Sequence, residues 1–438
     1  MSSNRTVTVY GAYGHTGRFV VAELLARGWT PVLAGRSPDQ LAALGADFPE
    51  LEVRPAEVDS PTALDAALAG AAAVLNCAGP FAVTTGPVIE AALRARIAYL
   101  DVAAEIEAVA DTFAHYGERA RESGIVVVPA MAFYGGRGDL LATAAMGDRT
   151  AADEVCIAYA LSSWAPTSGT RASSRMSRER RAGRRVLYAD GRMQFRTDDA
   201  PLAEWDFPAP IGRQQVRTEF TMADSVTIPR HLVTPEIRTC MSDGAATDVA
   251  NPELPPPSRE SAQTFLVDVV VRSEGTEPRA VARGRDIYAI SAPLVVEATE
   301  RVLGGLVERT GVLAAGEAFD AESFLLALPL AELSLDRASR SRQGRQPGGR
   351  DPGDRRHPYV EDYRTRAELI DLGSCGSVPG PHDLVLDPTD RIASPDSTCP
   401  RLRGERQAGA GWPGITLFRR AGRSCMQLDG RAPDPGRC

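Results

Sequence analysis

Three glycines, Gly11, Gly14 and Gly17, stand three residues apart in VTVYGAYGHTGRFVV, between an apolar run and a helical pattern. A turn of this kind gathers backbone amides and a helix N-terminus at one point, an arrangement suited to a phosphate. Gly11 permits the tight turn, Gly14 lets a diphosphate approach the backbone, and Gly17 lets the helix pack close to the sheet. The spacing GxxGxxG departs from the commoner GxGxxG, but strand, turn and helix follow in the order a dinucleotide requires. The next informative stretch is AGRS, from Ala34 to Ser37. A chain that selects NAD places a carboxylate at the end of its second strand to bond the ribose hydroxyls. Here Arg36 and Ser37 stand there instead. Arg36 can pair with a 2′-phosphate, so the expected cofactor is NADP(H).

Further candidates follow the later strands. VLNCAGPF places Cys77, Ala78, Gly79 and Pro80 at the carboxyl end of the fourth strand. Small residues there permit close cofactor approach, and Pro80 with Phe81 can wall a nicotinamide. AYLDVAAE puts Asp101 at the carboxyl end of the fifth strand, with Glu105 four residues on. Either carboxylate could exchange a proton, orient a water or bind an amine, and Asp101 could equally cap the next helix. PAMAFYGGRGDLLA offers Tyr134 as a proton donor and Arg137 as a carboxylate clamp, with packing as the alternative for each. Asp101 and Tyr134 are the catalytic candidates. PTSGTRASSRMSRERRAGRR reads as a capped, arginine-rich helix, either a solvated face or a grip for a carboxylate or phosphopantetheine group.

Composition removes several classes of chemistry. The chain has 438 residues and no lysine, so Schiff-base catalysis and the Tyr-x-x-x-Lys pair of short-chain dehydrogenases are excluded. The seven cysteines form no CxxC pair and the five histidines lie far apart, so no metal site is expected. A net charge of -8 argues against nucleic-acid binding by whole-surface charge. No apolar run approaches the roughly 18 residues of a membrane span. The stretch MSSNRTVTVYG lacks a signal-peptide core, so the expected location is cytoplasmic.

The elements that must position these residues alternate strand and helix through the first 146 residues. Short apolar strands at Thr6–Tyr10, Pro31–Ala34, Ala72–Asn76, Ala98–Asp101 and Ile125–Val128 suit a parallel sheet covered on both faces. Beyond Asp153 the texture is that of a mainly antiparallel lobe, with strands at Val155–Leu161, Arg185–Tyr188, Met193–Arg196, Ser225–Ile228, Phe265–Arg272 and Arg279–Arg283. Ala292–Glu308 and Ala321–Leu328 read as helices. The stretch 338–438 has almost no apolar periodicity and reads either as a disordered tail or as a frame-shifted end, with no function placed there. The reading is thus α/β: a Rossmann-type doubly wound parallel sheet over 1–150, an inserted α+β lobe over 151–290 for substrate and dimerisation, helices returning over 291–337, and the tail.

These residues together resemble the saccharopine dehydrogenase-like reductases. The carriers are GAYGHTG, AGRS, NCAGPF, AYLDVAAE and the run Val128–Leu140, with GRDIYAISAPLVVEATERVL and GVLAAGEAFDAESFLLAL in a similar style. The resemblance spans roughly residues 5–335. It implies NADP(H) bound by Gly11, Tyr13, Gly14, His15, Thr16, Gly17, Arg36 and Ser37, with Ala78–Pro80 near the nicotinamide and Asp101 near the substrate. It does not fix the reaction; the leading reading is hydride transfer to or from a small C=N or C=O substrate. A related branch reduces C=C bonds of carrier-bound acyl or lipid substrates, but AMAFYGG stands where that branch carries a CGFDS-like loop. A non-catalytic NADP(H) sensor is the third reading. A small-molecule partner is expected, and a homodimer through the second lobe is compatible with the pattern.

Overall fold

The computed structural model describes residues 4–258, 261–336, 416–420 and 423–427. The first sheet is built from βα units. Its strands are β1 (Thr6–Tyr10), β2 (Thr30–Gly35), β3 (Val53–Pro55), β4 (Ala73–Asn76), β5 (Ala98–Asp101) and β6 (Val126–Val128). Between and after them run α1 (His15–Ala26), α2 (Pro38–Asp47), α3 (Pro61–Leu68), α4 (Phe81–Ala95), α5 (Ile106–Ser123) and α6 (Gly136–Met146). Val7, Thr8 and Val9 are fully buried, so β1 is covered on both faces, and the Thr8 hydroxyl is satisfied by donating to Ala67 O at 3.0 Å. The order is β3-β2-β1-β4-β5-β6, every pair parallel, with the direction of winding reversing between β1 and β4. Ser37 and Ser60 start α2 and α3, each accepting a backbone N–H of the first turn ahead of a proline at the first helical position.

The second lobe contains β7 (Glu154–Leu161), α7 (Ser168–Arg180), β8 (Arg185–Ala189), β9 (Arg192–Arg196), β10 (Leu202–Phe207), β11 (Gly212–Arg217), α8 (Asp224–Thr227), β12 (Ile237–Ser242), α9 (Asp243–Ala250), β13 (Thr264–Arg272) and β14 (Arg279–Arg285). Its sheet runs β10-β11-β12-β7-β13-β14, with the β8–β9 hairpin attached to β12. The expected antiparallel pairing holds except at one place, because β12 lies parallel to β7. Ser225–Ile228, expected as a strand, is helical instead. Asp224 is the reason: its buried carboxylate accepts the Ser225 N–H at 2.9 Å and the Tyr159 hydroxyl at 2.5 Å, which fixes a tight turn over the β-branched run.

The chain then returns to the first sheet. It adds α10 (Ser291–Leu303), β15 (Gly311–Val312), α11 (Ala315–Ala318), α12 (Ala321–Leu326) and β16 (Glu332–Asp336). β15 pairs in parallel with β6 as the seventh strand of the first sheet, whereas β16 pairs with β14 in the second. Arg27, just past α1, contacts Glu23, Glu297 and Glu300 at 2.7–2.8 Å and so pins α10 to α1. The tail expectation for 338–438 lies outside the described residues, apart from an antiparallel hairpin of β17 (Thr416–Arg420) and β18 (Arg423–Gln427). Among the described residues no helix is long and apolar enough to cross a membrane.

Helix α6 is the hinge of the core. It is packed on β13 and β14 of one lobe and against α11 and α12 of the returning segment. Asp139 on it is fully buried, and its Oδ1 lies 2.6 Å from His231 Nε2. Burial of His231 favours the neutral ring, but the charge and hydrogen bond of Asp139 outweigh it, so the pKa lies above 6.5. A histidine whose pKa rises on folding contributes stability that is complete below its unfolded value and lost as pH rises through the folded one. The chain should therefore lose more urea resistance on His231→Gln at about pH 5.5 than at about pH 9. An equal loss at both values would mean that the pair carries no net charge-coupled stability.

Candidate functional site

A cleft of about 1340 Å³ opens where the winding reverses, outside the carboxyl ends of β1 and β4. The glycine turn forms one wall. Gly11 has a φ of +86°, and a Cβ there would meet Ala78 N at 2.8 Å. A Cβ on Gly17 would come within 2.2 Å of Gly11 O, so this glycine allows α1 to press against the turn. Gly14 is the N-cap of α1 and places no side chain over its first amides. Such amides, with the positive end of the helix behind them, suit an anion. Gly11, Tyr13, Gly14, His15 and Thr16 line the cleft; Gly17 lies behind it. Arg36 lines the far end, exposed and with no ion pair among the described residues. Ser37 does not line the cleft, because its hydroxyl accepts the Gln40 N–H as the cap of α2.

The opposite wall is the loop Cys77–Pro80, all four residues of which line the cleft. Asn76 Oδ1 accepts the Ala78 N–H at 3.1 Å, and the Thr84 hydroxyl donates to Ala78 O at 2.5 Å. Asp101 lies behind this wall and does not line the cleft. Its Oδ1 accepts the Ala103 and Ala130 N–H groups at 3.0 and 2.7 Å, and its Oδ2 accepts the Tyr99 hydroxyl at 2.9 Å. Burial pushes its pKa up to about 6 against these three donors. The alternative role of Asp101 as a cap for α5 does not occur either, since Glu105 occupies that N-cap position.

Tyr134 does line the cleft. It is 5% exposed, and its hydroxyl has no hydrogen-bond partner among the described residues. Burial raises its pKa well above 10.0, so the hydroxyl stays protonated. Its ring is held at 4.7–5.0 Å by Phe133, Tyr159 and Trp164. Arg137, three residues on, is no clamp at the cleft. It is fully buried between the faces of Phe133 and Phe265, at 4.5 and 4.2 Å. Burial lowers its pKa to about 9, leaving it charged near neutral pH. The sequence YGGRGD looked like a loop, whereas Gly136 begins the buried helix α6.

The second lobe supplies the lid of the cleft. Helix α7 starts beside Gly79, where a Cβ would come within 2.9 Å of Ser173 Oγ. Thr167 caps it, accepting the Thr170 N–H at 3.0 Å. Ser173, Ser177, Arg178 and Arg181 from this helix region line the cleft, so the arginine-rich stretch faces it in part. Two residues that sequence reasoning missed hold the lid in place. The Tyr288 hydroxyl contacts Trp164 Nε1 at 3.2 Å and Thr170 Oγ1 at 3.0 Å, and its ring meets His15 edge-on at 5.2 Å. Their only sequence signal was an aromatic residue within an otherwise featureless segment.

Residues 7–128 match the family model described as the saccharopine dehydrogenase NADP binding domain. Over that stretch the first sheet is similar to an NADP-binding domain of the saccharopine dehydrogenase type. The chain is 32% identical over 142 residues to an Arabidopsis thaliana protein named "Probable mitochondrial saccharopine dehydrogenase-like oxidoreductase". It is 28% identical over 145 residues to saccharopine dehydrogenase-like oxidoreductases of Bos taurus and Homo sapiens. Each match covers 29% of this chain and 31–34% of the relative, so the chain aligns with about a third of their length. Beyond that domain the likeness is one of fold. Apo saccharopine dehydrogenase (L-Glu forming) from Saccharomyces cerevisiae superposes with a TM-score of 0.53 at 12% identity, over 76% of this chain and 99% of that one.

The residues present fit a dinucleotide, because the side-chain-free N-cap Gly14 and the first residues of α1 line the cleft. The packing that sets α1 there is tight, since the space that Cβ atoms at Gly11 and Gly17 would need is already filled by backbone. Gly17→Ala should therefore cost about 2–3 kcal/mol of unfolding free energy, read as a lower urea midpoint, and weaken NADPH binding with it. An unchanged midpoint would mean that α1 can move away from the turn without loss.

Proposed function

We propose that the protein is an NADP(H)-dependent oxidoreductase that transfers hydride to or from the C=N or C=O bond of a small substrate. Tyr134 carries this reading, because it lines the same cleft as the Cys77–Pro80 loop and its buried hydroxyl has no hydrogen-bond partner among the described residues. The cofactor supplies the hydride when bound. Arg36 selects the 2′-phosphate, the amides at the start of α1 hold the diphosphate, and Cys77–Pro80 back the nicotinamide. Tyr134 donates a proton to the substrate nitrogen or oxygen that gains electron density. Asp101 acts through structure: it holds the Ala130 N–H and so fixes the loop that presents Tyr134. The names of the relatives support the reaction class.

The α7 side of the cleft favours a substrate that carries a carboxylate. Arg178 and Arg184 line it without a carboxylate partner among the described residues. A channel for a long acyl chain calls for an apolar wall, whereas Ser173, Ser174 and Ser177 line this one, so the enoyl-reductase reading is disfavoured. Cytoplasmic residence and a homodimer belong to the same proposal. Free Cys77, Cys156 and Cys240 suit a reducing compartment, and the outer strand β10 exposes Leu202.

Titration of the protein by nicotinamide fluorescence should show tighter binding of NADPH than of NADH, with the difference removed by Arg36→Ala. Tyr134→Phe should keep NADPH affinity while turnover on carboxylated imines and ketones falls by about 100-fold or more. Full turnover in Tyr134→Phe would remove the proton donor from the mechanism. NADPH binding with no turnover in any variant, across the substrate panel, would favour a sensor.

A further inference from the structure

Glu105 follows β5 and is 5% exposed. The sequence offers it as a carboxylate for a water or an amine, but both of its oxygens are taken. Phe81 N–H donates to Oε1 at 2.7 Å, and Ala82 N–H donates to Oε2 at 2.9 Å. These are the first two amides of α4, whose N-cap, Pro80, has no side-chain acceptor to offer them. The capping carboxylate thus arrives from 24 residues away and from the next βα unit. Upstream, the same loop is pinned at Ala78 by Asn76 and Thr84. The stretch between the two pins, Gly79–Phe81, is wall of the cleft.

We propose that Glu105 is a positioning residue for the nicotinamide half of the cofactor, holding Gly79–Phe81 in the shape against which the ring lies. The proposal rests on the placement of the nicotinamide at Cys77–Pro80. Helices α1 and α4 both begin at this cleft, and a carboxylate there favours the positive end of either. At α4 the protein fills that end with its own Glu105, so the diphosphate is left to α1. Loss of the Glu105 carboxylate leaves two amides unpaired and the wall free to shift. It disturbs nothing at the adenosine end, where Arg36 stands.

The test measures two ligands on the full chain: NADPH, and adenosine 2′,5′-bisphosphate, which lacks the nicotinamide half. Glu105→Ala and the more conservative Glu105→Gln should each weaken NADPH about tenfold, an effect of the size expected for unpaired buried donors. Adenosine bisphosphate affinity should stay unchanged. A folded variant that loses both ligands equally, or neither, overturns the proposal. Cys77→Phe, which fills the cleft at the same loop, separates the two levels of the argument. If it weakens NADPH alone while the Glu105 variants do not, the ring lies at this loop and Glu105 does not position it. If it changes neither ligand, the nicotinamide lies elsewhere and both readings fall.

Discussion

The carboxylate of Asp101 ties together three strand ends that the twist of a parallel sheet would otherwise splay apart. Through Ala130 it holds the segment after β6, and through Ala103 its own continuation. Through the Tyr99 hydroxyl, which also receives Asn76 Nδ2 at 3.2 Å, it reaches the end of β4. The ends of β4, β5 and β6 are thereby one polar cluster in an apolar layer. Burying a carboxylate costs free energy, and only a full set of donors offsets that cost. The cluster is therefore stable as a whole or not at all. Both loops of the proposed chemistry leave from it: Ala78 two residues beyond Asn76, and Tyr134 four residues beyond Ala130. The spacing between cofactor wall and tyrosine is thus inherited from one carboxylate that touches neither.

The second lobe is fixed to this floor by burial. The core is continuous from Val9 of β1 through Leu140 of α6 to Val267 of β13. Helix α6 therefore belongs to both lobes at once, which explains why it is buried nearly all round and why its charged residues, Arg137 and Asp139, are enclosed. Arg137 meets aromatic faces and Asp139 meets a histidine. The two solutions differ in kind. The arginine lies between ring quadrupoles and keeps its donors unused, whereas the aspartate gives one oxygen to a titrating partner and keeps Oδ2 without a hydrogen bond among the described residues.

The first sheet was legible in the sequence because its signals are local. Apolar strands, capping serines and glycine turns all act within a few residues, and the glycine triplet, Arg36 and NCAGPF fall where the cleft opens. What the sequence hid was direction and partnership over distance. Asp101 could be placed at a strand end, but whether its carboxylate turned toward the cleft or toward Ala130 depended on a backbone amide 29 residues away. Glu105 likewise found its partners 23 and 24 residues back in the chain. Arg137 could be a carboxylate clamp or a packing residue from the sequence alone, and the glycines before it decide for packing by letting a buried helix start close to Met131 and Ala223. Tyr288 and Trp164 meet 124 residues apart, where no periodicity reaches. In the second lobe, Ser225–Ile228 carried strand-like residues and a turn-forming aspartate, and the aspartate prevailed.

The seventh strand of the first sheet, β15, is made of Gly311 and Val312, which pair with Val126 and Val127. Roughly half of the described chain is synthesised between the two partners. On the ribosome, β6 therefore waits with an open edge while all of the second sheet but its last strand, and then α10, are synthesised. The nascent protein must keep that edge from pairing with other chains throughout that interval. The same geometry means that cutting the gene at the end of the NADP-binding segment would free not a finished domain but a sheet with its last strand missing.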